Sequence, residues 1–357
     1  MSTTISPKQS PGTLRPPEAA IGGRIFWRYL SVFILFHVIA LLACLPYFFS
    51  WTGVILVSVG NYFFGSMGIN VGYHRLLTHR SFACPKWLER LFVLFGVCSL
   101  QDSPGRWVAI HRMHHQNSDE QPDPHSPFVS LLWGHVGWLV VENRQIATLD
   151  TFAKYAPDVF RDRFYRSLHR KNLWVGLYVL HALIFAAISY LVAWLVTDTV
   201  SEMIRFGGSL VVWGIVVRTV YVWHITWAVN SFAHRWGYRN YKTGEESRNN
   251  WYVALLTNGE GWHNNHHADP RAASHGHRWW EIDLTYLTLR LLQMVGLVWD
   301  VQQVRVPAHV RFPSEESAPS TSVPQQSASA DPSTTEQTSS EEKLIQATEP
   351  VSSEPPP

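Results

Sequence analysis

Four apolar runs constrain this chain more than any other feature. They fall at about 26–49, 51–71, 173–196 and 208–231. Each reaches the ~20 residues that a helix needs to cross the ~30 Å hydrocarbon layer of a bilayer. The competing reading is a buried helix of a soluble protein. It fits the Gly-rich second run best and the first and third runs worst. A shorter apolar stretch, 91–100, follows Trp87 and Leu88 and sits beside Lys86, Glu89 and Arg90. Residues 86–100 are therefore expected to form a helix lying on the membrane surface, not a fifth crossing.

Charge sets the expected orientation. The link between the first two runs carries no Lys or Arg, and the link between the last two carries one, Arg205. The segment from Gly72 to Arg170 carries twelve. Basic loops stay on the cytoplasmic side, so both termini and the long central segment are expected there. The formal net charge of +2 gives no reason to expect a nucleic-acid partner. Residues 1–25 are polar, contain prolines and show no signal-peptide core. From 313 to 357 Ser, Thr, Pro, Gln and Glu dominate, so both ends are expected to be disordered tails around one membrane domain, 26–312. Three cysteines, Cys44, Cys84 and Cys98, give no disulfide framework.

Histidines supply the chemistry. The chain has 18, and nine fall in four short motifs: His74 and His79; His111, His114 and His115; His234; and His263, His266 and His267. Positions i, i+3 and i+4 share a helix face. Two motifs have that spacing, and Asn230 stands four before His234. His74 and His79 are five apart, which suits a helix end running into a turn. Neutral imidazole binds iron, zinc, copper and nickel. Nine nitrogens are too many for one ion and suit two ions of four or five ligands each. Two crossings lie between the second motif and His234, so all nine return to one side of the bilayer. His125, His135, His169, His275, His277 and His309 read as ordinary surface or core residues, with His125 a candidate neighbour of the ligands. His37 and His181 read as packing. Arg218 and His224, inside the fourth run, read either as structural pairs or as groups near a substrate.

The longer motifs resemble the integral-membrane fatty-acid desaturases, in particular the delta-9, stearoyl-CoA desaturase-like branch. The matching segments are 72–80 (GYHRLLTHR), 111–115 (HRMHH), 119–125 (DEQPDPH), 230–234 (NSFAH) and 259–267 (GEGWHNNHH). Segment 278–283 (RWWEID) is similar to bacterial members, so a bacterial inner membrane is the expected location. The resemblance covers about residues 26–305. It implies an all-α, four-transmembrane-helix bundle with a cytosolic helical cap holding two iron ions. It implies all nine histidines as ligands and Asn230 as a ligand through a bound water. It also implies an acyl tunnel with Trp107 and Trp227 in its wall and Tyr62 closing its far end. One departure is Arg235-Trp236 after His234, where many relatives carry an apolar residue. No haem-binding His-Pro-Gly-Gly segment occurs, so the implied electron donor is a separate protein, a ferredoxin or a cytochrome b5-like protein with its reductase.

The expected reaction follows from the substrate's chemistry. A mid-chain methylene has no acidity for a base to exploit, so a metal, O2 and supplied electrons must provide the oxidant. An extended tunnel would fix which carbon pair reacts. The acyl carrier stays open between coenzyme A, acyl carrier protein and a membrane lipid. A membrane di-iron hydroxylase or ketolase acting on lipid is the alternative. A metal transporter fits less well, because transporters place ligands within their spans.

Overall fold

The computed structural model describes residues 12–307 and 310; the expected 313–357 tail and His309 lie outside the described residues. Among the described residues the fold is helical, with four isolated β-bridges and no strand. Four helices have the length and composition to cross a bilayer: Trp27–Cys44, Trp51–Thr78, Leu173–Val196 and Val200–Ser231. We call them α1, α2, α8 and α9. Between and after them come α3 (Lys86–Val97), α4 (Pro104–Asn117), α5 (Leu149–Tyr155), α6 (Pro157–Arg161), α7 (Arg163–Arg170), α10 (Trp251–Leu256), α11 (His263–Ala268) and α12 (Leu284–Met294).

Two spans are longer than their apolar runs. The second continues from the expected 71 to Thr78, and the fourth begins at Val200 and not at 208. Both extensions are polar stretches held by capping or burial. Thr199 and Glu202 form a reciprocal capping box at the start of α9. From Asn61 to Thr78, α2 is π-wound, and residues 65–78 are all buried. In a π-helix the hydrogen bonds run i to i+5. The His79 N–H accordingly donates to the His74 carbonyl at 3.1 Å. That winding is the physical reason for a five-residue histidine spacing.

The Gly-rich character of the second run also has a packing cause. A Cβ on Gly68 would meet the backbone of Phe95 and Gly96 on α3 at 2.4–2.7 Å, and one on Gly72 would meet the Phe92 backbone at 2.9 Å. These glycines let α3 lie directly on α2. Leu88, Phe92, Val93 and Val97 are buried against it, while Trp87 and Leu91 face outward. By contrast few residues of α1 and α8 are fully buried; Leu183, Trp194, Leu195 and Val196 are each about two-thirds exposed. Contiguous apolar surface of that extent needs a lipid environment.

Residues 12–25 depart from the expected disorder. A short 3-10 turn, Glu18–Ala20, places Ala20 in a core with Ile110, Met113 and Trp133. Ile25 bridges to Val141. Apolar Ala20 inside a polar stretch supplies the anchor, while Ile21 stays exposed.

Candidate metal centre

The ends of α2 and α9 carry His74 and Asn230, α4 carries three histidines, and α11 carries three more. His234 follows in the turn after α9. These elements bring the nine motif histidines together as two groups. Ligand atoms of His74, His79, His111, His115 and His266 all lie within 4.8 Å of one another, and so do those of His114, His234, His263 and His267. Spacing alone left that division open. Asn230 and His263 both line an adjoining cavity.

The nitrogen contacts do not form a hydrogen-bond network. The His266 Nε2 lies 3.2 Å from that of His74 and 2.9 Å from that of His115, which is 3.1 Å from that of His111. The His263 Nε2 lies 3.0 and 3.1 Å from those of His234 and His267. A ring nitrogen is either one donor or one acceptor, so it cannot serve two others at once. Two nitrogens on one metal at ~2.1 Å stand about 3.0 Å apart at right angles and about 3.4 Å apart in a tetrahedron. The observed contacts fall close to the separations of nitrogens that share one ion. The buried Nε2 atoms of His79 and His114 have no hydrogen-bond partner, as metal-facing nitrogens require.

Carboxylates behind the rings set the tautomers. His74 Nδ1 lies 2.6 Å from Glu260 Oε2, His114 Nδ1 3.0 Å from Asp123, and His234 Nδ1 2.9 Å from Asp119 Oδ2. Each ring donates its Nδ1–H outward and turns the Nε2 lone pair inward. Glu260 is itself held by Arg75, whose fully buried guanidinium also binds Asp283. Burial favours uncharged Glu260, yet His275, Arg75 and His74 hold its pKa well below the usual range. Burial, then the neighbouring imidazoles, push His79, His111, His115, His263, His266 and His267 well below the ordinary histidine value. These rings are therefore neutral, the ligating form. His234 differs. Burial opposes its charge, but Asp119 outweighs burial and its pKa is pushed up to about 9. A metal at its Nε2 would replace that proton.

Two further histidines belong to this site: His275, read from sequence as ordinary, and His125, read as a candidate neighbour of the ligands. His275 is buried with its ring 4.4 Å from that of His266 and its Nδ1 3.3 Å from Glu260. His125 is buried with its ring 4.3 Å from that of His114 and its Nδ1 3.8 Å from Asp123. Glu260, Asp119 and Asp123 stood in the quoted motifs without a role; their signal was a carboxylate within a few residues of the ligand histidines. The paired asparagines between His263 and His266 also have a use. Asn264 accepts from the backbones of Asn240 and Tyr241, and Asn265 bonds Asn240, Asn249 and Glu281. They fasten a six-residue helix too short to be stable by itself.

The cavity is lined by Tyr29, Asp102 and Arg106, by His74, His111 and His263, and by Asn61 and Gly65. Trp107 and Trp227 line it, and Tyr62 does not. The Tyr62 hydroxyl lies 2.9 Å from Thr288 Oγ1 on α12. Arg218 and His224 also stay out of the cavity wall. Arg218 donates to the carbonyls of Gly214 and Cys98 with Phe64 under its guanidinium. His224 bridges His135 and His37, so His37 is a hydrogen-bonding residue and not simple packing.

The fatty acid desaturase family model matches residues 49–297. Over 276 residues the chain is 41% identical to an sn-1 stearoyl-lipid 9-desaturase of Synechocystis sp., covering 77% of this chain and 80% of that one. It is 40% identical over 282 residues to an sn-2 palmitoyl-lipid 9-desaturase of Nostoc sp., covering 79% and 92%. It is also 40% identical over 277 residues to an acyl-CoA 5-desaturase of Anemone leveillei, covering 77% and 78%. With a matched segment that begins just before α2 and ends beyond α12, and a histidine cluster built from four elements inside it, the chain belongs to the fatty acid desaturase family.

Proposed function

We propose that this protein is an O2-dependent membrane desaturase that places a cis double bond at the delta-9 position of a saturated long-chain acyl group carried on a membrane lipid. The observation that carries the reading is the junction of the two imidazole groups with a largely apolar cavity lying between the long helices. His74, His79, His111, His115 and His266 would hold one iron. His114, His234, His263 and His267, with Asn230 through a water, would hold the other. When bound, the two irons supply the oxidant: a saturated chain, O2, two electrons and two protons give the alkene and two waters.

The protein's own share is placement. Trp107 and Trp227 flank the chain where it passes the histidines, fixing which carbons face the metals. Glu260, Asp119 and Asp123 hold the ligand rings in one tautomer. The indoles and aliphatic side chains around the cavity keep water away from the reacting carbons.

The carrier reading rests on charge. Arg106 is the one Lys or Arg among the cavity-lining residues, and Asp102 and Tyr29 already occupy it. A nucleotide carrier with several phosphates needs several free cations; a glycerolipid does not. Two of the relatives are named as lipid 9-desaturases and a third of similar identity is named for acyl-CoA, so the cavity's charge carries the choice. Electrons would come from a separate ferredoxin or cytochrome b5-like protein.

The test is expression in a host that lacks monounsaturated lipids, with double bonds located by mass spectrometry in the glycerolipid and coenzyme A pools. The expected result is a delta-9 alkene that appears first in glycerolipid. A mid-chain alcohol would favour a hydroxylase, and early label in acyl-CoA would overturn the carrier. His114→Ala and His266→Ala should each abolish the product and lower bound iron.

A further inference from the structure

We propose that an acidic one-electron carrier protein docks over a second opening onto the histidine cluster, rimmed by Arg80, Arg112 and Arg271, and passes its electron in beside His79 and His115. This rests on the desaturase reading and adds the surface that its electron supply requires. The opening is lined by these three arginines, the two histidines and Pro270, and it shares no lining residue with the acyl cavity. His74, His114, His234, His263 and His266 are buried, and His111 lines the acyl cavity. His79 and His115 are partly exposed, and both line this opening. Electron transfer slackens steeply with distance through protein, so a carrier needs a place where ligand rings approach the surface. His79 follows the last residue of α2, past that helix's apolar run, so the opening faces away from the lipid-exposed spans.

Charge supplies the class of partner. Three arginines line the opening and no Asp or Glu does. Asp158 stands behind Arg80 and Arg112 and accepts from both at 2.7 Å, which holds the two guanidiniums in place. Three cations against that one carboxylate leave the rim positive. Arg271 is exposed and has no ion pair among the described residues. The loop that carries it is fixed, because the Ala272 N–H donates to the Asp269 carbonyl and the Ala273 N–H to that of Gln302. Cations grouped on a rigid surface steer acidic proteins toward it. Each alkene consumes two electrons, so a carrier of one electron docks reduced and leaves oxidised twice per turnover. A small, polar, charged rim suits that demand: it speeds encounter without holding the partner tightly.

The test uses the full, iron-loaded chain in nanodiscs of uncharged lipid, with a plant-type ferredoxin as the acidic probe. Binding is measured at low and high salt, and bound iron is measured in the same samples. Wild type should bind at low salt and lose affinity steeply as salt rises. Arg271→Glu should weaken binding by about tenfold or more at low salt and converge with wild type at high salt. Arg271→Lys should recover most of the loss. Arg205→Glu makes the same charge change in the link between α8 and α9, and it should bind as wild type does. Equal binding by Arg271→Glu and wild type, with iron retained, would overturn the proposal. An equal loss in Arg205→Glu would do the same, since net charge alone would then be read. So would absence of wild-type binding at low salt, or displacement of ferredoxin by inorganic phosphate beyond that by chloride of equal ionic strength, which would mark a small-anion pocket. Alkene formation is scored separately. Ferredoxin binding that depends on Arg271 in a chain that makes no alkene would support the docking surface and overturn the function; alkene with binding indifferent to Arg271 would do the reverse.

Discussion

At the scale of single residues, the centre is defined by what stands behind each imidazole. A histidine motif says that nitrogen is present; it does not say which nitrogen faces the metal. Glu260 decides that for His74, Asp123 for His114 and Asp119 for His234. Partners of this kind alter metal affinity when removed, although they never touch the ion. Glu260→Gln keeps the shape and removes the charge. It should weaken iron retention by ~10–100-fold, read as the chelator concentration that strips half the metal from purified protein. Unchanged retention would mean that the His74 ring is oriented by packing alone. The i, i+3 and i+4 repeats single out six of the nine ligand candidates, while His74, His79 and His234 stand in the other quoted motifs. Sequence reasoning passed over His275, and marked His125 only as a neighbour of the ligands, because an isolated histidine has no pattern; their tilted ring contacts with His114 and His266 come from long-range folding.

At the scale of elements, close backbone approach and buried charge do most of the work. Gly68 and Gly72 allow α3 to rest on the π-wound half of α2. Gly68→Val should force the two helices apart, lower the detergent-solubilised yield and cut iron occupancy; normal yield and occupancy would show that the contact is adaptable. A second joint ties the end of α2 to α4 and α6. Arg80 and Arg112 both reach Asp158, at 2.7 Å each. Burial would raise the Asp158 pKa, but hydrogen bonds from Arg112 and Arg80 hold it well below the usual carboxylate range. The folded pKa is depressed, so the stabilisation is fully present above the unfolded value of about 3.9 and disappears as pH falls through the folded value. Asp158→Asn should therefore unfold at a lower temperature than wild type near neutral pH. The difference should close in strongly acidic buffer. A gap that persisted there would mean the carboxylate's charge is not the cause. The side chain is 38% exposed, so the effect should be modest.

At the scale of the whole molecule, folding and metal binding should be linked. Nine imidazoles packed together, with buried Nε2 atoms such as those of His79 and His114 left without a hydrogen-bond partner, are costly to bury. Ions bound to both groups would stabilise the folded state by mass action. Removing iron with a chelator should lower the unfolding temperature on the order of 10 °C, taking ligand well above its dissociation constant at each group. Iron added back should restore it. An unfolding temperature indifferent to iron would mean that the described arrangement is held by its carboxylate and asparagine network alone.

Several things were fixed by the chain itself. Long apolar runs can satisfy their backbone in lipid only as helices, so four spans could be counted from sequence. Ligand chemistry could also be read there, because local spacing maps onto a helix face. Other things needed three dimensions. The division of nine histidines into groups of five and four depends on how α2, α4, α9 and α11 meet, and no local rule carries that. The π winding that aligns His74 with His79 falls where residues 65–78 of α2 are continuously buried by the surrounding helices. The cavity wall passes to Asn61 and not to Tyr62 because α12 draws the tyrosine hydroxyl toward Thr288. In each case the deciding partner is far away in sequence, and its effect exists only once the helices have packed.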